Sequence, residues 1–236
     1  MPHWGRYEEL RPSQIDEIIG ETGMAYLPWG ALEWHGAHCA IGLDALKIHH
    51  LALRCAEVTG GVVLPVVYAG YQTMKPHAGF KHTLEVPAEV IHGLANAYLD
   101  QLADEGFRLV VLMMGHYGGE HVKNIRFAVE NWPRYRDRGT GMKIWAFPEY
   151  EVVIDDGYRG DHAGAYETSL LMYFRPDLVD LSALPAEGPI VPEQHGVGGE
   201  DPRVKASPAY GEELCAAIVR RVVEGVGDRL RGTDRT

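Results

Sequence analysis

Residues 108–114 read RLVVLMM, apolar throughout after the arginine. A strand without polar alternation must be covered on both faces, and that is the condition of a parallel sheet sandwiched by helices. The chain then reads Gly115-His116-Tyr117-Gly118-Gly119-Glu120 and turns helical from Glu120 to Asn131. Strand, glycine-rich turn and helix make a βα unit, in which working residues lie at the carboxyl end of the strand. His116 holds that place. Three more apolar runs, Met24 to Trp29, Val62 to Val67 and Met142 to Phe147, alternate with helical periodicities. The class predicted is therefore α/β.

Ser13 to Gly20 reads as a short helix with Ser13 as N-cap and Asp16 three residues on. Asp44 opens a helix through about Ala56, whose Leu46, His49, His50, Leu53 and Ala56 recur at helical spacing, and Thr59-Gly60-Gly61 stops it. His49 and His50 are adjacent and so diverge on a helix, as packing or surface residues rather than a ligand pair. Pro65 is awkward inside a strand and marks an edge or bulge. Tyr68 to Thr83, glycine-rich and aromatic, is long enough for a functional loop and reads as a pocket wall. Pro87 fits the first turn of the next helix, which Gly106 ends. A helix from about Tyr166 to Phe174, an irregular Gly/Pro-rich excursion from Glu187 to Pro208 and a terminal helix from Ala209 to Leu230 complete the chain.

At 236 residues the chain suffices for one large domain spanning 1–236. A formal net charge of −11 and no Lys/Arg cluster argue against nucleic-acid and anionic-membrane partners. The three cysteines, Cys39, Cys55 and Cys215, are too few and scattered for a disulfide framework and point to a reducing, cytoplasmic setting. No apolar run reaches the ~20 residues of a membrane span, and Met1 to Glu9 lack the apolar core of a secretory signal.

Chemistry concentrates in Glu33-Trp34-His35-Gly36-Ala37-His38, followed by Asp44. Side chains two apart in an extended segment point the same way, so Glu33 and His35 can face one site. Gly36 lets the chain turn away, and Asp44, at a helix start, can swing back. That mixture of oxygen and nitrogen donors suits Zn, Mn, Fe or Co. His162 and Glu167 flank a later helix start, again after a strand. The glycines beside His116 would also allow a phosphate cradle, but their spacing matches neither GxGxxG nor GxxxxGK[ST].

The set resembles the creatininase (creatinine amidohydrolase) family. Glu33-Trp34-His35-Gly36-Ala37-His38 with Gly42 and Asp44 is similar to its first signature, Gly115-His116-Tyr117-Gly118 to its second, and His162-Ala163-Gly164 with Glu167-Thr168-Ser169 to its third. Glu200-Asp201-Pro202-Arg203 is a weaker fourth match, and the likeness extends over roughly residues 20 to 215. The resemblance implies a three-layer α/β/α fold with a mostly parallel central sheet, two divalent ions (Zn, Mn or Fe) per subunit and a homo-oligomer, commonly a hexamer. It implies Glu33 and His116 as ligands of one metal, His35 of the other, and Asp44 bridging both. Glu167 is implied as a fifth ligand or a supporting carboxylate, and His162 as the acid/base group, so His162 and Glu167 form the catalytic pair. Trp34, Tyr71, His77, His82 and Tyr117 are the pocket-shaping candidates.

The chain departs from the family pattern at Met114, where Asn is usual, at Tyr117 and Gly119, at Gly118, where creatininase has Glu, and at the Lys81-His82 pair. The expected activity is therefore hydrolysis of a cyclic amide or similar C–N bond in a small molecule other than creatinine. Formamides, peptide-like precursors and oxidised cyclitols or sugar ketones are alternative substrates for the same site. A metal-binding assembly protein and a metal-free phosphate-binding protein are the readings from other classes.

Overall fold

A computed structural model describes residues 3–232. Its six strands are β1 (Trp4–Arg6), β2 (Met24–Gly30), β3 (Gly61–Val63), β4 (Val67–Tyr68), β5 (Leu109–Met114) and β6 (Lys143–Pro148). All pair in parallel in the order β1-β3-β2-β5-β6, with β4 against the end of β2. The long register, Met24↔Leu109 through Trp29↔Met114, joins the two fully buried central strands.

Helices cover both faces. The main ones are α1 (Pro12–Glu21), α2 (Leu43–Thr59), α4 (Ala88–Asp104), α5 (Gly119–Tyr135), α6 (Ala165–Phe174) and α9 (Pro208–Arg231), with the short α3 (Met74–Ala78), α7 (Pro192–His195) and α8 (Pro202–Lys205) in loops. Leu27, Val110 and Leu112 point into one core with Ile18, Ile91, Leu99 and Ile125 of α1, α4 and α5. Their neighbours Tyr26, Val111 and Met113 point into the other with Ile48, Leu170 and Ile218 of α2, α6 and α9. Alternate residues of one strand serving two cores is the reason the central runs carry no polar alternation. The result is the expected three-layer α/β/α architecture.

After β2 the chain steps to β3 by way of α2. After β4 it crosses by way of α4, on the opposite face, to β5 on the other side of β2. The carboxyl ends of β2 and β5 thus flank a topological switch point, where open α/β sheets bind ligands. The start of α2 drops into this crevice. Gly30 and Gly115 permit it, because a Cβ on either would overlap the backbone at Asp44 and Ala45.

Several local expectations are corrected. β1 is an edge strand that three residues of sequence do not announce. The single strand expected over Val62 to Val67 is two short ones, because Pro65 lacks the N–H a central ladder needs. Ser13 is not the cap of α1; Arg11 is, its backbone N–H donating to Gln14 Oε1 at 3.0 Å, and Pro12 takes the first helical position. Pro87 is the N-cap of α4 rather than part of its first turn. α5 runs on past Asn131, with Pro133 inside it. Cys39, Cys55 and Cys215 are all free and buried. Among the described residues no helix is long and apolar enough to cross a membrane.

Candidate metal centre

The sheet delivers its polar residues to one place. Glu33 and His35 follow β2, Asp44 sits in the first turn of α2, His116 follows β5, and Glu167 sits in the first turn of α6. All five are at most 4% exposed. Asp44 reaches both imidazoles: its Oδ1 lies 3.0 Å from His35 Nε2 and its Oδ2 lies 3.2 Å from His116 Nδ1. Glu33 Oε2 is 2.8 Å from His116 Nδ1, and Glu167 Oε2 is 3.5 Å from His35 Nε2. Two donor sets result, Glu33/Asp44/His116 and His35/Asp44/Glu167, each with donor atoms within 4.8 Å of one another and with Asp44 common to both. His162 forms a further group with Glu33 and His35.

The outer contacts aim these groups. His35 Nδ1 is 3.0 Å from the Glu33 carbonyl oxygen, and His116 Nε2 is 2.9 Å from that of Tyr71. Each ring therefore carries a proton on the outer nitrogen and, in its neutral form, turns a lone pair inward, the arrangement found for metal-bound histidines. Glu33 Oε1 accepts the Met74 N–H at 2.6 Å, which leaves Oε2 for the centre. Glu167 Oε2 accepts the Ala163 N–H at 2.8 Å.

Three buried atoms at the centre, Glu33 Oε2, His35 Nε2 and Asp44 Oδ2, have no hydrogen-bond donor. Acceptors facing acceptors in a dry site are costly, and a cation or a proton must lie between them. The protonation tendencies show the same demand. Burial opposes a charged His35, yet Asp44, Glu167 and Glu33 overcome it and raise its pKa to about 9. His116 is likewise driven up against burial by Glu33 and Asp44. Asp44 and Glu33 are also buried, and the two imidazoles still hold them below the usual carboxylate range. A donor set of two imidazoles and three carboxylates without thiolate fits divalent Zn, Mn or Fe.

His162, half-buried beside this centre, differs in kind. Burial, helped by His35, lowers its pKa. Its Nε2 lies 2.9 Å from the Trp34 carbonyl oxygen and its ring 4.4 Å from that of His35. A neutral imidazole with one nitrogen engaged keeps the other for proton exchange.

A cavity of about 280 Å³ opens over the centre, lined by Glu33, Asp44, His77, His116, Tyr117, His162 and Glu167 among others. His77, on α3, and Tyr117 thus stand where pocket residues were expected. Trp34 stacks on Phe80 with ring centres 5.3 Å apart and binds the His195 carbonyl through Nε1, at 3.1 Å. It braces the neighbouring loops and is absent from the cavity lining. His82 is exposed and does not line the cavity. Tyr71 serves through its backbone. A larger groove of about 470 Å³, between the ends of α4 and α5, contains none of these residues.

Sequence reasoning missed Lys47 and Glu149, both 0% exposed. Lys47 Nζ contacts Glu167 Oε1, lies 3.2 Å from Glu149 Oε1 and donates to the Tyr117 hydroxyl at 2.7 Å. The signal was a lysine three residues after Asp44 on the apolar side of α2. His38, the last member of the first motif, is structural: its Nε2 lies 3.0 Å from Thr168 Oγ1, tying the first motif to the third. The fourth motif is structural too, since Asp201 caps α8 and Arg203 donates to the Gly188 carbonyl at 2.9 Å.

A parallel α/β/α sheet with imidazoles and carboxylates gathered at its switch point defines the class: an α/β protein with a centre built for divalent cations. The chain belongs to the creatininase family, whose model, described as creatinine amidohydrolase, matches residues 8–226. It is 29% identical to creatinine amidohydrolase of Pseudomonas putida over 228 residues, 87% of each chain. It is 26% identical to the mycofactocin precursor peptide peptidase of Mycolicibacterium smegmatis over 243 residues, 94% of this chain and 90% of that one. A crystal structure of creatininase superposes with a TM-score of 0.78 at 26% identity, covering 94% of this chain and 96% of the other. Matching structures include a creatininase variant of Zn–Zn type and a manganese form, with TM-scores of 0.77 and 0.78.

Proposed function

We propose that this protein is a hydrolase of C–N bonds that uses two divalent cations, acting on a small cyclic amide other than creatinine. The observation that carries the reading is Asp44, with one oxygen directed at each of two inward-facing imidazoles. Glu33 and His116 would complete one cation position, and His35 and Glu167 the other. Bound there, the cations would supply a water acidic enough to ionise near neutral pH and a Lewis acid for the scissile carbonyl.

The protein's own residues do the rest. Asp44 holds the two imidazoles in register. Glu33 is pinned at Oε1 by the Met74 N–H and so offers a single oxygen. His162, neutral and anchored at Nε2, moves a proton at its other nitrogen to the departing amine. His77 and Tyr117 shape the cavity above. The absence of a carboxylate at Gly118, which lines the cavity, makes this pocket unlike that of creatininase, which is why creatinine is set aside.

A peptide-like substrate is the second reading. It is favoured by the 26% identity with a precursor peptide peptidase across 94% of the chain. A homo-oligomer in the cytoplasm belongs to both readings. Elemental analysis of the purified protein tests the centre. With that metal restored, a hydrolysis screen over cyclic amides, formamides, short peptides and sugar-derived ketones tests the reaction. Two equivalents of metal with turnover of a cyclic amide are expected. Protein that holds no divalent metal after dialysis against Zn²⁺ or Mn²⁺ refutes the reading.

A further inference from the structure

Lys47 is fully buried, and its ammonium is surrounded by acceptors: Glu167 Oε1, Glu149 Oε1 at 3.2 Å and the Tyr117 hydroxyl oxygen at 2.7 Å. An ammonium has three protons to give, so three acceptors satisfy it. The Tyr117 hydroxyl in turn donates to Glu149 Oε1, which closes the ring of contacts. Asp44 Oδ1 lies 4.0 Å away, outside hydrogen-bond reach.

The consequence falls on Glu167. A carboxylate rotates broadly about its last torsion unless something holds it. Here Lys47 takes Oε1, while Oε2 receives the Ala163 N–H at 2.8 Å and faces His35 Nε2 at 3.5 Å. Glu167 is fixed at both ends, with one oxygen turned toward the centre. The second donor set is therefore as preorganised as the first, where the Met74 N–H does the same for Glu33. A lysine that only balanced charge would need no such fit, since Glu149 and Glu167 could be neutralised from any side.

We propose that Lys47 is a positioning residue that fixes Glu167 for the His35/Asp44/Glu167 cation position. This rests on the metal-dependent reading above. It is tested by titrating metal-free protein with Co²⁺ or Zn²⁺, following heat and the visible absorption of Co²⁺, so that no substrate is needed. Wild-type protein is expected to take up two equivalents. Lys47→Met should unfold more readily and bind the second equivalent at least tenfold more weakly. The double variant Lys47→Met/Glu149→Gln removes one positive and one negative charge together. It should regain stability while the second equivalent stays weak, because Glu167 remains unclamped. Lys47→Arg keeps the charge, but a planar fork cannot serve three acceptors grouped about one ammonium; it too should weaken the second equivalent and alter its Co²⁺ spectrum. Wild-type affinity for the second equivalent in the double variant or in Lys47→Arg overturns the assignment. If the Met variants do not fold, Lys47→Arg decides it. Wild-type protein that binds no cation refutes the metal reading, and this assignment with it, before any variant is made.

Discussion

Replacing Gly115 with alanine should damage the centre without touching a ligand. Gly115 follows β5 directly and lies against the first turn of α2. A Cβ there would overlap the Asp44 carbonyl oxygen and stand 3.0 Å from both the Asp44 carbonyl carbon and Ile48 Cβ, where ordinary contact begins at 3.4 Å. The neighbours are backbone and a β-branched core side chain, so neither can swing aside. Clearing the carbon contacts needs a few tenths of an ångström, and clearing the oxygen requires the helix start to retreat on the order of 1 Å, in an interior that packs like a crystal. Overpacking of this kind costs roughly 1–3 kcal/mol. Metal sites tolerate ligand displacements of only about 0.2 Å, and Asp44 moves with the helix away from His35 and His116 together. Gly115→Ala should therefore bind both equivalents far more weakly than wild type and lose about 1–3 kcal/mol in urea unfolding of the metal-free form. Gly30→Ala, which meets the backbone of the same turn, should behave alike. A Gly115→Ala protein that keeps full metal content and unfolds with wild-type stability would refute the claim that this close approach sets the Asp44 geometry.

Other outcomes follow from the same geometry. His116→Ala should lower metal content, whereas His162→Ala should retain metal and lose turnover, as shown by elemental analysis beside a rate assay; metal loss from the His162 variant would contradict its assignment as a proton carrier. Chelation should lower the melting temperature and excess Zn²⁺ or Mn²⁺ should restore it, because the cation binds the folded form and not the unfolded chain; an unchanged melting temperature would count against a site in the native fold. His50 packs on Phe174 with ring centres 5.0 Å apart, and burial, helped by His49 and Arg175, lowers its pKa to about 4. The unfolded chain then takes up the proton more readily, so His50 favours unfolding as pH falls from about 6.5 toward 4. His50→Gln should flatten that acid limb in a series of thermal melts, and an unaltered limb would exclude His50 as a contributor.

The central layer was legible because strands buried on both faces permit no polar alternation, and β2 and β5 obey that rule. The convergence of Glu33, His35, Asp44, His116 and Glu167 was legible because each lies just beyond a strand or at a helix start, so three short motifs could be set side by side. What the sequence hides is contact at a distance. β1 is three residues long and owes its conformation to pairing with β3. The split between β3 and β4 turns on one missing N–H at Pro65. Lys47 could not be placed because a lysine on a helix is ordinarily exposed, and only Glu149, Glu167 and Tyr117, from about 70 to 120 positions away, make its burial tolerable. Trp34 was expected in the pocket, yet the aromatic partner that claims it, Phe80, lies on a separate loop.

The donors are spread from Glu33 to Glu167 along the chain. A growing polypeptide that has completed only the first β-strands and α2 owns Glu33, His35 and Asp44 but not His116 or Glu167. The Glu33/Asp44/His116 set is incomplete until the chain has been made past β5, and the His35/Asp44/Glu167 set until α6 has been made and has docked. Neither set can form before β5 has paired with β2, and the second waits for α6 as well, so the hydrophobic layers, not the ions, must carry the stages of folding before that pairing.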